Sequence, residues 1–136
     1  MILIDTSVLS RTLRRSRPGA EEVKLRAEVE DLMASDMPLG LPGTVLQELL
    51  SGIRSEKQFT ELQSYLVSAF TIVHPATTDY VDAARLRSTC LAKGLTISGP
   101  DCLIATLAIS GRHRLLATDE DFVAIARHSA LQLLRH

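Results

Sequence analysis

Five carboxylates occupy positions from which they could do chemistry together: Asp5, Glu48, Asp101, Asp119 and Asp121. Asp5 directly ends the apolar run Ile2-Leu3-Ile4, and Asp119 and Asp121 follow Leu115-Leu116-Ala117. Asp101 stands just inside a segment opened by Gly99-Pro100, and Glu48 lies two helical turns beyond Gly40-Leu41. In an open parallel α/β sheet the residues just past the strands share one crevice. Two like charges about 4 Å apart in such a crevice repel by roughly 4 kcal/mol at an effective dielectric near 20. The helix macrodipole returns only about 0.3–1 kcal/mol per acid. Either the groups stay dispersed, or their pKa values rise, or hard divalent cations occupy the pocket. An all-oxygen carboxylate set suits Mg2+ or Mn2+, and such sites serve phosphate chemistry.

Each acid also has a purely structural explanation. Asp5 could cap the helix that follows it, and Asp101 falls in a first helical turn, where the dipole favours a negative charge. Thr118 with Asp121, and Thr44 with Gln47 just before Glu48, have the spacing of a capping box. Glu48 sits off the Leu46/Leu50/Ile53 stripe, where a solvated residue would be. Asp5 is the hardest to dismiss, because its charge directly ends a strand that must be buried.

Other chemistries fit less well. Cys90 and Cys102 have no C-x-x-C or Cys/His ligand spacing and read as reduced core residues. His74, His113, His128 and His136 lack zinc spacing and read as surface residues. Neither G-x-x-x-x-G-K-[ST] nor G-x-G-x-x-G occurs, and Ser7 stands where a phosphotransferase of the haloacid dehalogenase type would want a second aspartate. A response-regulator arrangement of acids is absent as well.

The elements that must position these acids alternate short strands with helices. Strands buried on both faces are expected at Ile2–Ile4, Phe70–Val73, Arg114–Ala117 and Leu131–Leu134, and a further short strand between Pro38 and Gly43. Helices are expected over Glu21–Ser35 on a Val23/Leu25/Val29/Leu32/Met33 pattern, through Leu46/Leu49/Leu50/Ile53, through Tyr80/Ala83/Ala84/Arg87, and through Leu103/Ile104/Leu107/Ala108 with Pro100 at the first position. The fold class is therefore α/β, a three-layer α/β/α arrangement over a short, mainly parallel sheet of four to five strands. With 136 residues, 46% hydrophobic and 23% charged, the chain reads as one globular domain over 1–136. No apolar stretch approaches the roughly 20 residues of a membrane span, and the N-terminus lacks a signal peptide's basic region, so a cytoplasmic protein without a membrane partner is expected. Fifteen Lys and Arg against sixteen Asp and Glu speak against a generic basic nucleic-acid coat.

Four segments, taken in order, carry a resemblance. MILIDTSVL from Met1, LPGTVLQELLSG from Leu41, GPDCLIATLA from Gly99 and LLATDEDF from Leu115 together resemble the PIN-domain ribonucleases, and are most similar to the VapC-type toxins of bacterial toxin–antitoxin pairs. The similarity spans essentially the whole chain. It implies a PIN-like fold in which Asp5, Glu48, Asp101, Asp119 and Asp121 form an acidic pocket for Mg2+ or Mn2+, with Thr6, Ser7 or Thr118 as supporting hydroxyls. It further implies an endoribonuclease toxin acting on a structured RNA, such as a transfer RNA or a ribosomal RNA loop. The expected partners are a small cognate antitoxin and a second copy of the chain in a homodimer. Arg11, Arg14, Arg15 and Arg17, the one basic cluster, become candidates for RNA backbone contacts. Gly99-Pro100 and Thr106 depart from the family pattern without removing a carboxylate. The alternative reading is a catalytically silent PIN-like module that binds RNA or protein.

Overall fold

Ile2-Leu3-Ile4 carries no polar residue, so as a strand it must be covered on both faces. It forms β1 (Ile2–Ile4), buried throughout, at the centre of a five-stranded sheet. The computed structural model describes residues 1–13 and 19–134; Arg14, Arg15, Arg17 and His136 lie outside the described residues. After β1 come α1 (Thr6–Thr12), α2 (Ala20–Ala34), β2 (Leu39–Pro42), α3 (Gly43–Leu50), α4 (Glu56–Ala69) and β3 (Thr71–Val73). The chain continues through α5 (Thr77–Ala92), α6 (Gly99–Ser110), β4 (Arg114–Leu116), α7 (Glu120–Arg127) and β5 (Gln132–Leu133).

The strand order is β3-β2-β1-β4-β5, with every pairing parallel. β1 pairs with β2 through Ile2–Leu39 and Leu3–Gly40, and with β4 through Ile2–Arg114, Leu3–Leu115 and Ile4–Leu116. Successive strands grow away from β1 on one side before the chain crosses back to place β4 on the other. The topological switch point therefore lies between β1 and β4, where the carboxyl ends of an α/β sheet open a crevice. The α/β/α expectation holds, with seven helices flanking five strands among the described residues.

Several local expectations change. Burial on both faces holds for β1, and β2 is buried as well, but β3 and β5 are edge strands with exposed or half-buried residues, and Arg114 of β4 is exposed. Only a central strand has neighbours to cover it on every side. On α2, Leu25 and Val29 face the core, whereas Val23 and Met33 point to solvent. Tyr80 of α5 is also exposed, and Ile53 lies beyond the end of α3. α4 has no counterpart among the expected elements: Ser55 caps it by accepting the Gln58 N–H at 3.2 Å, and it buries Leu66 with Leu62 and Ala69 half-buried on the same side. α6 is buried continuously from Cys102 to Ala108, as befits a helix that is apolar all round. Cys90 and Cys102 are free and buried as expected, and burial pushes the Cys102 thiol up to about 11, which keeps it out of nucleophilic chemistry. No helix among the described residues is long and apolar enough to cross a membrane.

Gly40 shows how closely β1 and β2 approach. A Cβ there would stand 2.6 Å from Leu3 Cδ2, 2.5 Å from Met1 Sδ and 3.3 Å from Val73 Cγ2. Leu3 is wholly buried and has nowhere to move. Gly40→Ala is therefore expected to destabilise the fold by about 1–3 kcal/mol through overpacking. A thermal denaturation midpoint equal to the wild type would contradict this packing.

Candidate metal centre

The four aspartates reach the switch point through local devices that the sequence encodes residue by residue. Asp5 follows β1, and its backbone N–H donates to the Leu116 carbonyl at 3.0 Å, extending the β1–β4 pairing by one residue. Its side chain caps α1, with Oδ2 accepting from the Ser7 N–H at 3.1 Å and from the Ser7 hydroxyl at 2.7 Å. The same hydroxyl accepts the Thr118 N–H at 3.1 Å. Ser7 thus ties the carboxylate after β1 to the chain leaving β4. Asp5 is only 5% exposed, so its carboxylate depends on these donors for solvation.

Asp101 lies in the first turn of α6, whose cap is Ser98, the Oγ of which accepts the Asp101 N–H at 3.2 Å. Asp119 caps α7, its Oδ1 accepting the Asp121 N–H at 2.9 Å, and Asp121 sits in that helix's first turn. Two helix starts therefore meet. Asp101, Asp119 and Asp121 each offer a carboxylate oxygen within 4.8 Å of the others, a group that could hold a metal ion. Asp101 and Asp121 are half-buried and Asp119 is exposed.

The expected caps differ in detail from those formed. Asp119, rather than Thr118, caps α7; α3 starts after Pro42 with no side-chain cap, leaving Thr44 inside the helix with its Oγ1 buried and unbonded. Pro100 occupies the second position of α6, after Gly99. Ser98, absent from the expected site residues, carries a plain helix-start signal as a serine just before Gly-Pro.

The other expected site residues fall as follows. Glu48 is exposed on α3 and is not one of the three clustered carboxylates. Ser7 supports Asp5 directly, while Thr118 enters through its backbone N–H. Thr6 Oγ1 is buried without a hydrogen-bond partner. Arg11 lines a recess shared with Thr118 and Asp119. His74 and His128 are exposed; His113 is half-buried, with Nδ1 3.0 Å from the Met1 amine, and burial lowers its pKa.

The crowding of charge has a measurable effect. Burial, then the charges of Asp5 and Asp119, raise the Asp101 carboxyl to about 6, with Ser98 opposing the rise and Asp121 adding to it. Of the three outcomes open to clustered carboxylates, dispersal is excluded for Asp101, Asp119 and Asp121. The donor set is all oxygen and short of positive charge, which fits a hard divalent cation.

The PIN-domain family model matches residues 2–128. The chain is similar to Ribonuclease VapC11 of Mycobacterium tuberculosis, 32% identical over 135 residues that cover 97% of this chain and 96% of the relative. In fold it is similar to FitAcB from Neisseria gonorrhoeae, at a TM-score of 0.77 and 22% identity, covering 98% of this chain and 96% of that one. It is equally similar to VapBC2 from Rickettsia felis bound to a DNA fragment from their promoter, with TM-score 0.77, 22% identity, and 98% and 97% coverage.

A carboxyl whose pKa is higher folded than unfolded adds stability when protonated. The contribution of Asp101 is full below its ordinary value of 3.8 and is lost as pH rises through about 6. In chelator at pH 7, Asp101→Asn is expected to stabilise the fold by roughly 1 kcal/mol after discounting for solvent screening, or about 3 °C in Tm. At pH 4 the two proteins should melt together. Mg2+ or Mn2+ at pH 7 should raise the Tm of the wild type and not that of the variant; equal Tm values at both pH values would contradict the crowding.

Proposed function

The chain belongs to the PIN-domain family, and from that premise we propose that it is a single-domain, divalent-metal-dependent endoribonuclease, spanning residues 1–136, that serves as the toxin of a toxin–antitoxin pair. The observation that carries the reading is the convergence of Asp101, Asp119 and Asp121 at the switch point, beside Asp5. Asp101, Asp119 and Asp121 would hold Mg2+ or Mn2+, with Asp5 beside them and Glu48 assisting from α3. When bound, such an ion lowers the pKa of water and offsets charge on the phosphate. The chain's own residues supply position: Ser7 holds Asp5, and Ser98 fixes the first turn of α6 beneath Asp101.

The reaction is hydrolysis of an RNA phosphodiester. A water oxygen joins phosphorus and the 3′ oxygen leaves as a hydroxyl, giving 5′-phosphate and 3′-hydroxyl ends. No side chain need become a covalent nucleophile, in keeping with the inert Cys102. With few aromatic rings in the chain, target choice rests on RNA shape and phosphate positions, as in a transfer RNA or ribosomal RNA loop. The partners are a small antitoxin that covers the site and a second copy of the chain in a cytoplasmic homodimer.

The purified protein should cleave RNA with Mg2+ or Mn2+ and stop on chelation. Asp5→Asn and Asp101→Asn should each lower the cleavage rate at least about a hundredfold, the scale expected when a group that stabilises transition-state charge is removed, while circular dichroism shows an intact fold. Cleavage that survives both substitutions would sink the metal-nuclease reading. Tight RNA binding without cleavage in any metal would favour the silent binding module.

A further inference from the structure

Beside the carboxylates, on the side of α1 and α2, a recess of about 290 Å3 is lined by Arg11, Glu21, Lys24, Thr118, Asp119 and Glu120 among others. Asp119 belongs both to this wall and to the acidic cluster, so the recess begins where the cluster ends. Most of its charges have local reasons to be there. Glu21 and Glu120 stand in the first turns of α2 and α7, and Arg11 in the last turn of α1, positions that the helix dipole favours.

Lys24 is the exception. It lies in the N-terminal half of α2, where a cation gains nothing from the dipole. Glu21 stands three residues before it, the spacing of a helix ion pair. Yet neither Lys24 nor Arg11 forms an ion pair among the described residues. Two unpaired cations therefore face a polar recess that continues directly from the proposed metal centre. A nucleic-acid strand with one phosphate at the carboxylates must place its next phosphate a single nucleotide away, along one of the grooves leading from them. This groove offers ammonium and guanidinium groups and no aromatic ring, which suits a phosphate rather than a base.

We propose that Lys24, together with Arg11, seats a backbone phosphate of the substrate RNA next to the one that is cleaved. Lys24 is a positioning residue: it touches no reacting atom and sets the register of the strand across the acidic pocket. The inference rests on the ribonuclease reading and adds to it the direction in which the strand leaves the site. Glu21, Asp119 and Glu120 line the same recess and limit the strength of the seat, so its contribution is that of one or two phosphate contacts.

The test measures binding of a short fluorescein-labelled single-stranded phosphorothioate RNA in Mg2+ between about 50 and 200 mM salt, where each lost phosphate contact on a single strand lowers the log–log salt slope by about 0.7. Lys24→Gln should weaken binding about threefold to tenfold and lower the slope by about 0.7. With unmodified RNA it should raise KM while leaving kcat within about twofold, the mark of lost uniform binding. Lys24→Arg, which keeps the charge, should restore both quantities. Lys57→Gln, on α4 and outside the lining of the recess, should change neither. Matched melting curves exclude a folding defect. If Lys24→Gln retains the wild-type affinity and slope, or Lys57→Gln loses as much, the seat does not exist, whether or not the protein is a ribonuclease. If the wild type neither binds nor cleaves RNA in Mg2+ or Mn2+, the ribonuclease reading falls and the seat with it.

Discussion

β1 and β4 are remote in sequence but adjacent in space, and their parallel pairing from Ile2–Arg114 to Ile4–Leu116 brings two strand ends to the same edge of the sheet. The pairing is held by burial, since Leu3, Ile4, Leu115 and Leu116 are almost wholly removed from water. It is locked at its end by two further hydrogen bonds: Asp5 N–H to the Leu116 carbonyl, which extends the ladder, and Thr118 N–H to the Ser7 hydroxyl across 111 residues of sequence. A shift of one residue in this register would move Asp5 to the other face of the sheet and separate it from Asp101. The chemistry of the site thus depends on an apolar pairing that contains no chemical group of its own.

The acids are held in place by the same interactions that begin helices. Asp5 and Asp119 are caps, and Asp101 and Asp121 sit in first turns. Structural and functional explanations of these residues do not compete. A cap orients a carboxylate, the helix dipole offsets part of its charge, and both effects let several acids approach one another more closely than they could on open loops. At Asp101, burial and the charges of Asp5 and Asp119 together outweigh the Ser98 hydrogen bond and hold the carboxyl at about 6. A pocket built this way is stabilised by a cation and strained without one.

The near-neutral total charge conceals this arrangement. Acidic residues converge at the carboxyl edge of the sheet, while Arg11 and Lys24 stand on the adjoining wall formed by α1 and α2. A metal at the carboxylates and cations at the rim would together offset the repulsion of phosphate locally, which is how a chain with no net basic character could engage a polyanion.

Much of this was legible in the sequence. Unbroken apolar runs fixed β1 as buried, the Gly-Pro-Asp start fixed α6, and acids placed directly after strands marked the candidate site, because each of these signals is local. Edge strands were misjudged as buried because a strand's neighbours are not written in its own residues. α4 carries a helical stripe of Phe59, Leu62, Leu66 and Ala69, of which only Leu66 is fully buried, and Val23, Met33 and Tyr80 lie on exposed faces because apolar residues need not face the core. Tertiary structure alone decided which acids meet. Asp101, Asp119 and Asp121 converge and Asp5 adds its charge to Asp101, since distance across a sheet depends on strand order rather than on spacing along the chain. The residue types by themselves supplied an all-oxygen set of candidate ligands; the order of the strands decided which of those acids come together, because only the fold brings residues remote in sequence to one edge of the sheet.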